Sequence, residues 1–267
     1  MYPYIEIFGI NISSYFMAIV VGLTLTIVVG LLRSRAERFH TSTEDVFFTI
    51  MCILVGVVIG AKVFQIIGRI IQYGSRPDFW TIENWKSMIP GVGVLYGGMI
   101  GGFIAALLYV RFSKLDFWDL ADILTPAIIF SVVSGRIGCF MAGCCYGIEA
   151  SWGVVFTNSA IAPNGVPLVP VQLFESGFNL LVTMAMLIIR PERKRKGILL
   201  PTYFIVYAVG RFILEFFRGD MNRGVYLLST SQWISLLILP LGILMLTQAM
   251  RTNATEKVAN KEEKHRI

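Results

Sequence analysis

Seven long apolar stretches dominate this chain, near residues 12–32, 46–67, 92–110, 119–135, 171–189, 199–217 and 231–250. Each approaches the ~20 mostly apolar residues that a helix needs to cross the hydrocarbon of a bilayer. Backbone polar groups find no water there, so they must be satisfied within the segment, which commits such a chain to helices. The expected fold is an all-α integral membrane protein of about seven transmembrane helices with a small head segment on the outer side. Composition agrees: 55% of residues are apolar and 15% charged, whereas soluble domains hold about 45–50% and about 25%. A soluble enzyme, a disordered chain, a coiled coil and a collagen are excluded on these grounds.

Charge sets the expected orientation. The formal net charge is +6, which in a soluble protein would point to nucleic acid. Fifteen of the 23 Lys and Arg residues instead fall on alternate connections and the tail, from Arg33, Arg35 and Arg38 through Arg190–Lys196 to Arg266, and only six on the opposite side. Positive residues are retained in the cytoplasm, so the N-terminus is expected outside and the C-terminus inside, with no nucleic-acid partner. The leading MYPYIEIFGI carries no Lys or Arg, unlike a cleaved signal, and the first span reads as a retained helix. Residues 1–250 read as one transmembrane domain and 251–267 as a cytoplasmic, disordered tail. Outside the spans, Trp80, Trp85 and Trp152 suit the membrane interface.

Gly56 and Gly60 in the second span, and Gly101 and Gly102 in the third, have the small-residue spacing that lets helices pack closely in lipid. Gly97 and Gly98 follow Tyr96 at the outer end of the third span, where free N–H groups can hold an anion. Charge inside the spans is the stronger signal, because it is costly there and normally faces a cavity or partner. Tyr207, Arg211, Glu215 and Arg218 recur at intervals of four, four and three, which puts them on one helical face. Arg136 lies between Gly135 and Gly138, a pattern that reads as a broken helix able to approach a ligand. Arg136 and Arg211 both fall toward the outer leaflet, and two guanidinium forks there match the oxygens of a lipid phosphate.

Cys52 is mid-span, while Cys139, Cys144 and Cys145 fall on the outer side and read as small packing residues. No metal site is read from them, since no His lies nearby to complete one. His40 and His265 both fall on the cytoplasmic side, which excludes Ser-His-Asp hydrolysis at an outer site. Glu175 and Glu215 remain as carboxylates, and Tyr15, Tyr96 and Tyr207 as hydroxyls.

With these residues in view, the sequence resembles the prolipoprotein diacylglyceryl transferases of bacterial plasma membranes. ISSYFMAIVVG resembles the Tyr-containing first helix of that family, VIGAKVF its Gly-Ala-Arg element with Lys62 for Arg, and YGGMIGG its His-Gly-Gly element with Tyr96 for His. Asp122 of DLADILTP, the run Pro170-Val171-Gln172-Leu173-Phe174-Glu175 and YAVGRFILEFFRGD continue in family order. The family signature Gly-Arg-x-Gly-Asn-Phe-x-Asn-x-Glu-x-x-Gly is matched by residues 135–147, GRIGCFMAGCCYG. Cys139, Ala142 and Cys144 replace its two Asn and its Glu, and Val169 replaces a His.

The resemblance implies transfer of a diacylglyceryl group from phosphatidylglycerol to the lipobox cysteine of a prolipoprotein signal peptide, at the outer face of the plasma membrane. It implies no cofactor. Arg136, Arg211 and Tyr96 become the expected catalytic residues: the arginines stabilise charge on the departing phosphate, and Tyr96 orients the thiol. Tyr15, Gly97, Gly98, Gly135, Gly138, Gly147, Gln172, Glu175, Tyr207 and Glu215 become the expected substrate-binding residues, with Glu175 and Glu215 orienting the arginines. Two other readings fit parts of the pattern. One is a relative that binds lipid or lipidated peptide without catalysis, or modifies a different thiol or headgroup, and the other is a small-solute transporter, which also uses broken helices and buried charge.

Overall fold

A computed structural model of the chain describes residues 4–7, 9–35, 41–74, 77–81, 94–188, 196–220, 224–225 and 227–266. Trp85 lies outside them. Among the described residues seven α-helices follow one another: α1 (Ser14–Ser34), α2 (Thr43–Tyr73), α3 (Leu95–Phe112), α4 (Phe117–Ala142), α5 (Val171–Ile188), α6 (Leu199–Leu214) and α7 (Thr230–Arg266). Six of these paths are long and apolar enough to cross a membrane, and α3 is a shorter apolar helix. The chain is a multi-pass membrane protein. Its burial pattern is inverted accordingly. On α5 the buried side carries Gln172, Glu175, Ser176, Asn179 and Thr183, while Leu181 and Ile188 are exposed.

Short antiparallel pairs occupy the connections. β1 (Tyr4–Ile7) pairs with β2 (Ile10–Ser13) ahead of α1. After α4, β3 (Glu149–Val155) pairs with β4 (Pro167–Leu168), and their loop closes over a small core of Phe156, Ala162 and Leu168 backed by Phe140. β5 (Gly224–Val225) pairs with β6 (Leu228–Ser229) before α7. The final helix runs on through Arg266. The Ala, Glu and Lys content of its last turns favours helix.

The chain divides into two compact units, residues 41–117 and the remainder. The first is the α2–α3 pair, held by interlocked glycines. A Cβ on Gly60 would stand 2.3 Å from the Gly97 carbonyl oxygen, and one on Gly101 2.2 Å from that of Gly56. Backbone thus meets backbone, as the small-residue spacing predicts. Gly97 and Gly98 are buried against Phe64 and Val57. Close packing leaves little room for a side chain at either.

In the other unit α1 and α4 are joined by small polar side chains. Thr26 donates to the Ala127 carbonyl at 3.0 Å and meets Ser131 at 2.7 Å, and Ser134 donates to the Ala18 carbonyl. Pro126 lies inside α4 and offers no N–H to the carbonyl one turn earlier. That carbonyl belongs to Asp122, and the Arg33 guanidinium of α1 donates to it at 3.0 Å. The Asp122 carboxylate in turn accepts from the backbone N–H groups of Gly197 at 2.8 Å and Leu199 at 2.9 Å, which satisfies donors at the start of α6. Beside it, Lys196 pairs with Asp119 at 3.1 Å.

α4 is unbroken from Phe117 to Ala142, which corrects the expected break at Gly135 and Gly138. Within a helix every backbone group already has its partner. Gly138 instead serves packing, since a Cβ there would stand 2.7 Å from that of Ala18 and 3.1 Å from the Tyr15 ring.

Candidate functional site

Glu175, one turn into α5 and 1% exposed, is the meeting point of two guanidiniums. Arg136 of α4 approaches one carboxylate oxygen at 2.9 Å, and Arg211 of α6 approaches the other at 3.6 Å. Arg211 also pairs with Glu215 at 2.7 Å and donates to Ser231 Oγ at 3.0 Å. Three helices distant in sequence therefore converge on one carboxylate, as expected for Arg136 and Arg211. Taking charges out of water costs several kcal/mol per ion, and only close pairing offsets this. The two arginines and two glutamates balance formally.

The two arginines are not equivalent. The Arg211 side chain is 8% exposed and the Arg136 side chain 20%. Arg136 thus presents an accessible edge, with Arg211 one step deeper. Among the described residues, Oε1 of Gln172 is buried without a hydrogen-bond partner. Buried polar atoms are nearly always satisfied, so a capacity left open marks a place where another group belongs. Behind the carboxylate, Tyr203 donates to Asn179 at 3.0 Å, and the Tyr207 ring packs on Tyr203 with centroids 5.4 Å apart. Tyr207 is within electrostatic range of Arg136, Arg211 and Glu175, and Tyr15 within range of Arg136.

The remaining expected residues separate by position. Around Gly135 an added Cβ would meet nothing within 4 Å, so that face of α4 is open beside Arg136. Gly147 is closed: a Cβ there would stand 2.4 Å from the Val169 carbonyl oxygen, and its N–H donates to that oxygen at 3.0 Å. It lets two stretches of backbone meet. Arg218 leaves the face it was expected to share with Tyr207, Arg211 and Glu215. α6 ends at Leu214, a tight turn over Glu215–Phe217 follows, and Arg218 is extended, pairing with Asp220 through two bonds of 2.9 Å. Tyr96, Gly97 and Gly98 belong to the other unit, where Tyr96 is exposed near the start of α3.

One grouping was not foreseen. The sulfurs of Cys139, Cys144 and Cys145 lie within 4.8 Å of one another, all as free thiols. The end of α4 brings this about. Gly143 takes φ +75°, its N–H donates to the Phe140 carbonyl at 3.2 Å, and the Cys144 N–H donates to the Cys139 carbonyl at 3.0 Å. These are the two bonds of a Schellman cap, which needs a left-handed residue after the helix. The turn folds Cys144 and Cys145 back over the last turn, beside Cys139. Hydrogen bonds with the thiols of Cys139 and Cys144 hold Cys145 well below the ordinary thiol range, aided by Arg218 and Arg136. A Cys-x4-Cys-Cys run with Gly before the last pair is the sequence signal that could have disclosed it.

Comparison with known proteins bears on this arrangement of helices and charges. A family model described as prolipoprotein diacylglyceryl transferase matches residues 3–248. This chain belongs to that family. Among its relatives, the phosphatidylglycerol–prolipoprotein diacylglyceryl transferase of Clostridium tetani is 35% identical over 240 residues, covering 89% of this chain and 93% of that protein. The phosphatidylglycerol–prolipoprotein diacylglyceryl transferase 2 of Clostridium perfringens is 37% identical over 248 residues, covering 90% and 92%. That of Oceanobacillus iheyensis is 26% identical over 250 residues, covering 90% and 86%. The family match thus spans α1 to α6 and the first half of α7.

Proposed function

We propose that this family member transfers the diacylglyceryl group of phosphatidylglycerol to the lipobox cysteine of prolipoproteins, forming a thioether and releasing glycerol phosphate. Kinship with proteins named for those substrates supports the reaction. The observation that carries the site is the convergence of Arg136 and Arg211 on Glu175. The accessible edge of Arg136 takes the lipid phosphate, and Arg211, fixed between Glu175 and Glu215, supplies the second positive group. As the carbon–oxygen bond to phosphate breaks, negative charge grows on the leaving oxygen. Donors already in place stabilise it without reorganising.

The open face at Gly135 gives the glycerol room beside Arg136, and Tyr15, Tyr207 and Gln172 line the headgroup. Gly138 brings Tyr15 close to α4. The protein acts in the bacterial plasma membrane with the site toward the outer leaflet, the N-terminus outside and the C-terminus in the cytoplasm, as the charge distribution favours.

The test is direct. Purified protein is incubated with phosphatidylglycerol vesicles and a lipobox peptide, and the peptide is weighed by mass spectrometry. The expected result is a diacylglyceryl thioether that needs the peptide cysteine. An unchanged peptide, with lipid bound, would replace this reading by a binding function.

A further inference from the structure

The transferase reading leaves one chemical need without a group to meet it. Attack on the lipid requires a thiolate, and a free cysteine has a pKa near 8.5. Both histidines lie at positions 40 and 265, away from Glu175 in the sequence and on the expected cytoplasmic side. Glu175 and Glu215 are engaged by arginines. A site that removes the thiol proton by coordination would meet that need, and the three clustered cysteines have the makings of one.

We propose that Cys139, Cys144 and Cys145 form a three-thiolate site for one thiophilic cation of the zinc class, whose open fourth position takes the substrate cysteine as thiolate. Three observations carry this, and it rests on the transferase reading only for the fourth ligand. First, the three sulfurs lie within 4.8 Å of one another. Zinc–sulfur bonds of ~2.3 Å need sulfur separations of roughly 3.8–4.0 Å, a contraction that rotation about the side chains can supply. Second, the cluster is built in advance. The Schellman cap fixes its turn, Gln172 donates to the Cys144 carbonyl at 2.7 Å, and Cys145 is held at φ +62°. Such strain in a non-glycine residue persists only where its surroundings enforce it, and it gathers at functional sites. Third, Oε1 of the buried Gln172 has no hydrogen-bond partner and so keeps an acceptor for a group arriving next to Cys144.

Donor chemistry and charge select the ion. Three sulfurs without carboxylate or imidazole favour soft metals over magnesium or calcium. A divalent ion with three thiolates carries one negative charge, which the guanidiniums of Arg218 and Arg136, within electrostatic range of Cys145, offset. Three protein ligands with a free position are the pattern of catalytic rather than structural zinc, and a thiol that coordinates such an ion is deprotonated outright. In the step this implies, the bound peptide sulfur attacks the glycerol carbon and a carbon–sulfur bond forms. The carbon–oxygen bond to phosphate breaks, and its electron pair leaves on glycerol phosphate. The proton shed by the thiol on coordination balances the charge in solution, and nothing is oxidised or reduced.

The experiment uses the full chain in detergent, reduced and free of oxygen, titrated with Co²⁺ and then Zn²⁺. The expected result is one Co²⁺ per chain, with a sulfur-to-cobalt charge-transfer band that Zn²⁺ abolishes, and loss of that band in the combined Cys139→Ser, Cys144→Ser, Cys145→Ser variant. A lipobox peptide should change the cobalt ligand-field bands, and its Cys→Ser counterpart should not. A wild-type protein that binds no stoichiometric metal, or a variant that keeps it, would overturn the site; the wild-type titration decides this without any substitution. Full-rate thioether formation by chelator-treated protein would overturn the metal's role and leave the transferase reading standing. No thioether from metal-loaded protein would overturn the transferase reading, with the cobalt spectrum still deciding the site.

Discussion

The larger unit contains two buried ionic clusters built from the same kinds of residue, and they are finished differently. Around Asp122, the carboxylate takes the N–H groups of Gly197 and Leu199, its own carbonyl takes Arg33, and Asp119 takes Lys196. Around Glu175, two arginines share one carboxylate, and one of them presents an accessible edge. The first cluster replaces what a proline and a helix start leave unsatisfied. The second joins two guanidiniums from different helices on a single carboxylate. Charge inside a membrane protein is therefore no signal of function by itself; what distinguishes the second cluster is the convergence of two cations on one buried anion.

That contrast can be broken by substitution. Glu175→Gln removes the shared carboxylate and leaves two guanidiniums facing each other. Breaking a buried pair costs about 3–5 kcal/mol, so the melting temperature in detergent should fall sharply, while glycerol phosphate should bind more tightly to the surviving folded protein. Unchanged melting would show that the carboxylate does not hold the arginines. Arg136→Ala should lower kcat by about 10²–10³ with insertion retained and a smaller fall in melting than Glu175→Gln, because Glu175 keeps Arg211, and Arg136→Lys should restore only part of the activity, because a lysine lacks the planar fork. Asp122→Ala should reverse the pattern: a stability loss of about 1–3 kcal/mol from unsatisfied N–H groups, with kcat/KM of the folded fraction unchanged. A selective loss of kcat/KM would erase the distinction between the clusters. In the smaller unit, Gly60→Ala would force apart backbones in contact, at about 1–3 kcal/mol, read as lowered thermal stability.

Much of this was legible in the sequence, and the misses share a cause. The helices follow from the apolar stretches, and the α2–α3 contact from glycines four apart, because both depend on local spacing. The meeting of Arg136 and Arg211 could be anticipated because charge in lipid must find a partner. What escaped depends on geometry that spacing does not encode. Gly135 and Gly138 suggested a break, but helical hydrogen bonding carries through them and Gly138 admits Ala18 and Tyr15. At Gly97, Gly98 and Gly147 spacing does not reveal how closely neighbouring chain approaches. Arg218 keeps helical spacing with Arg211 although the helix ends before reaching it. The three thiols meet only because Gly143 turns the backbone left-handed.

The central claim is that Arg136 and Arg211 act on one phosphate through their common partner Glu175. A double-mutant cycle on kcat/KM for thioether formation, with Arg136→Gln, Arg211→Gln and the pair, measures this directly. Residues joined in one ionic network should be non-additive by about 0.5–3 kcal/mol, so the double variant should lose much less than the product of the single losses. Additivity within about 0.3–0.5 kcal/mol would mean that the two arginines act independently, and the shared phosphate site would be refuted.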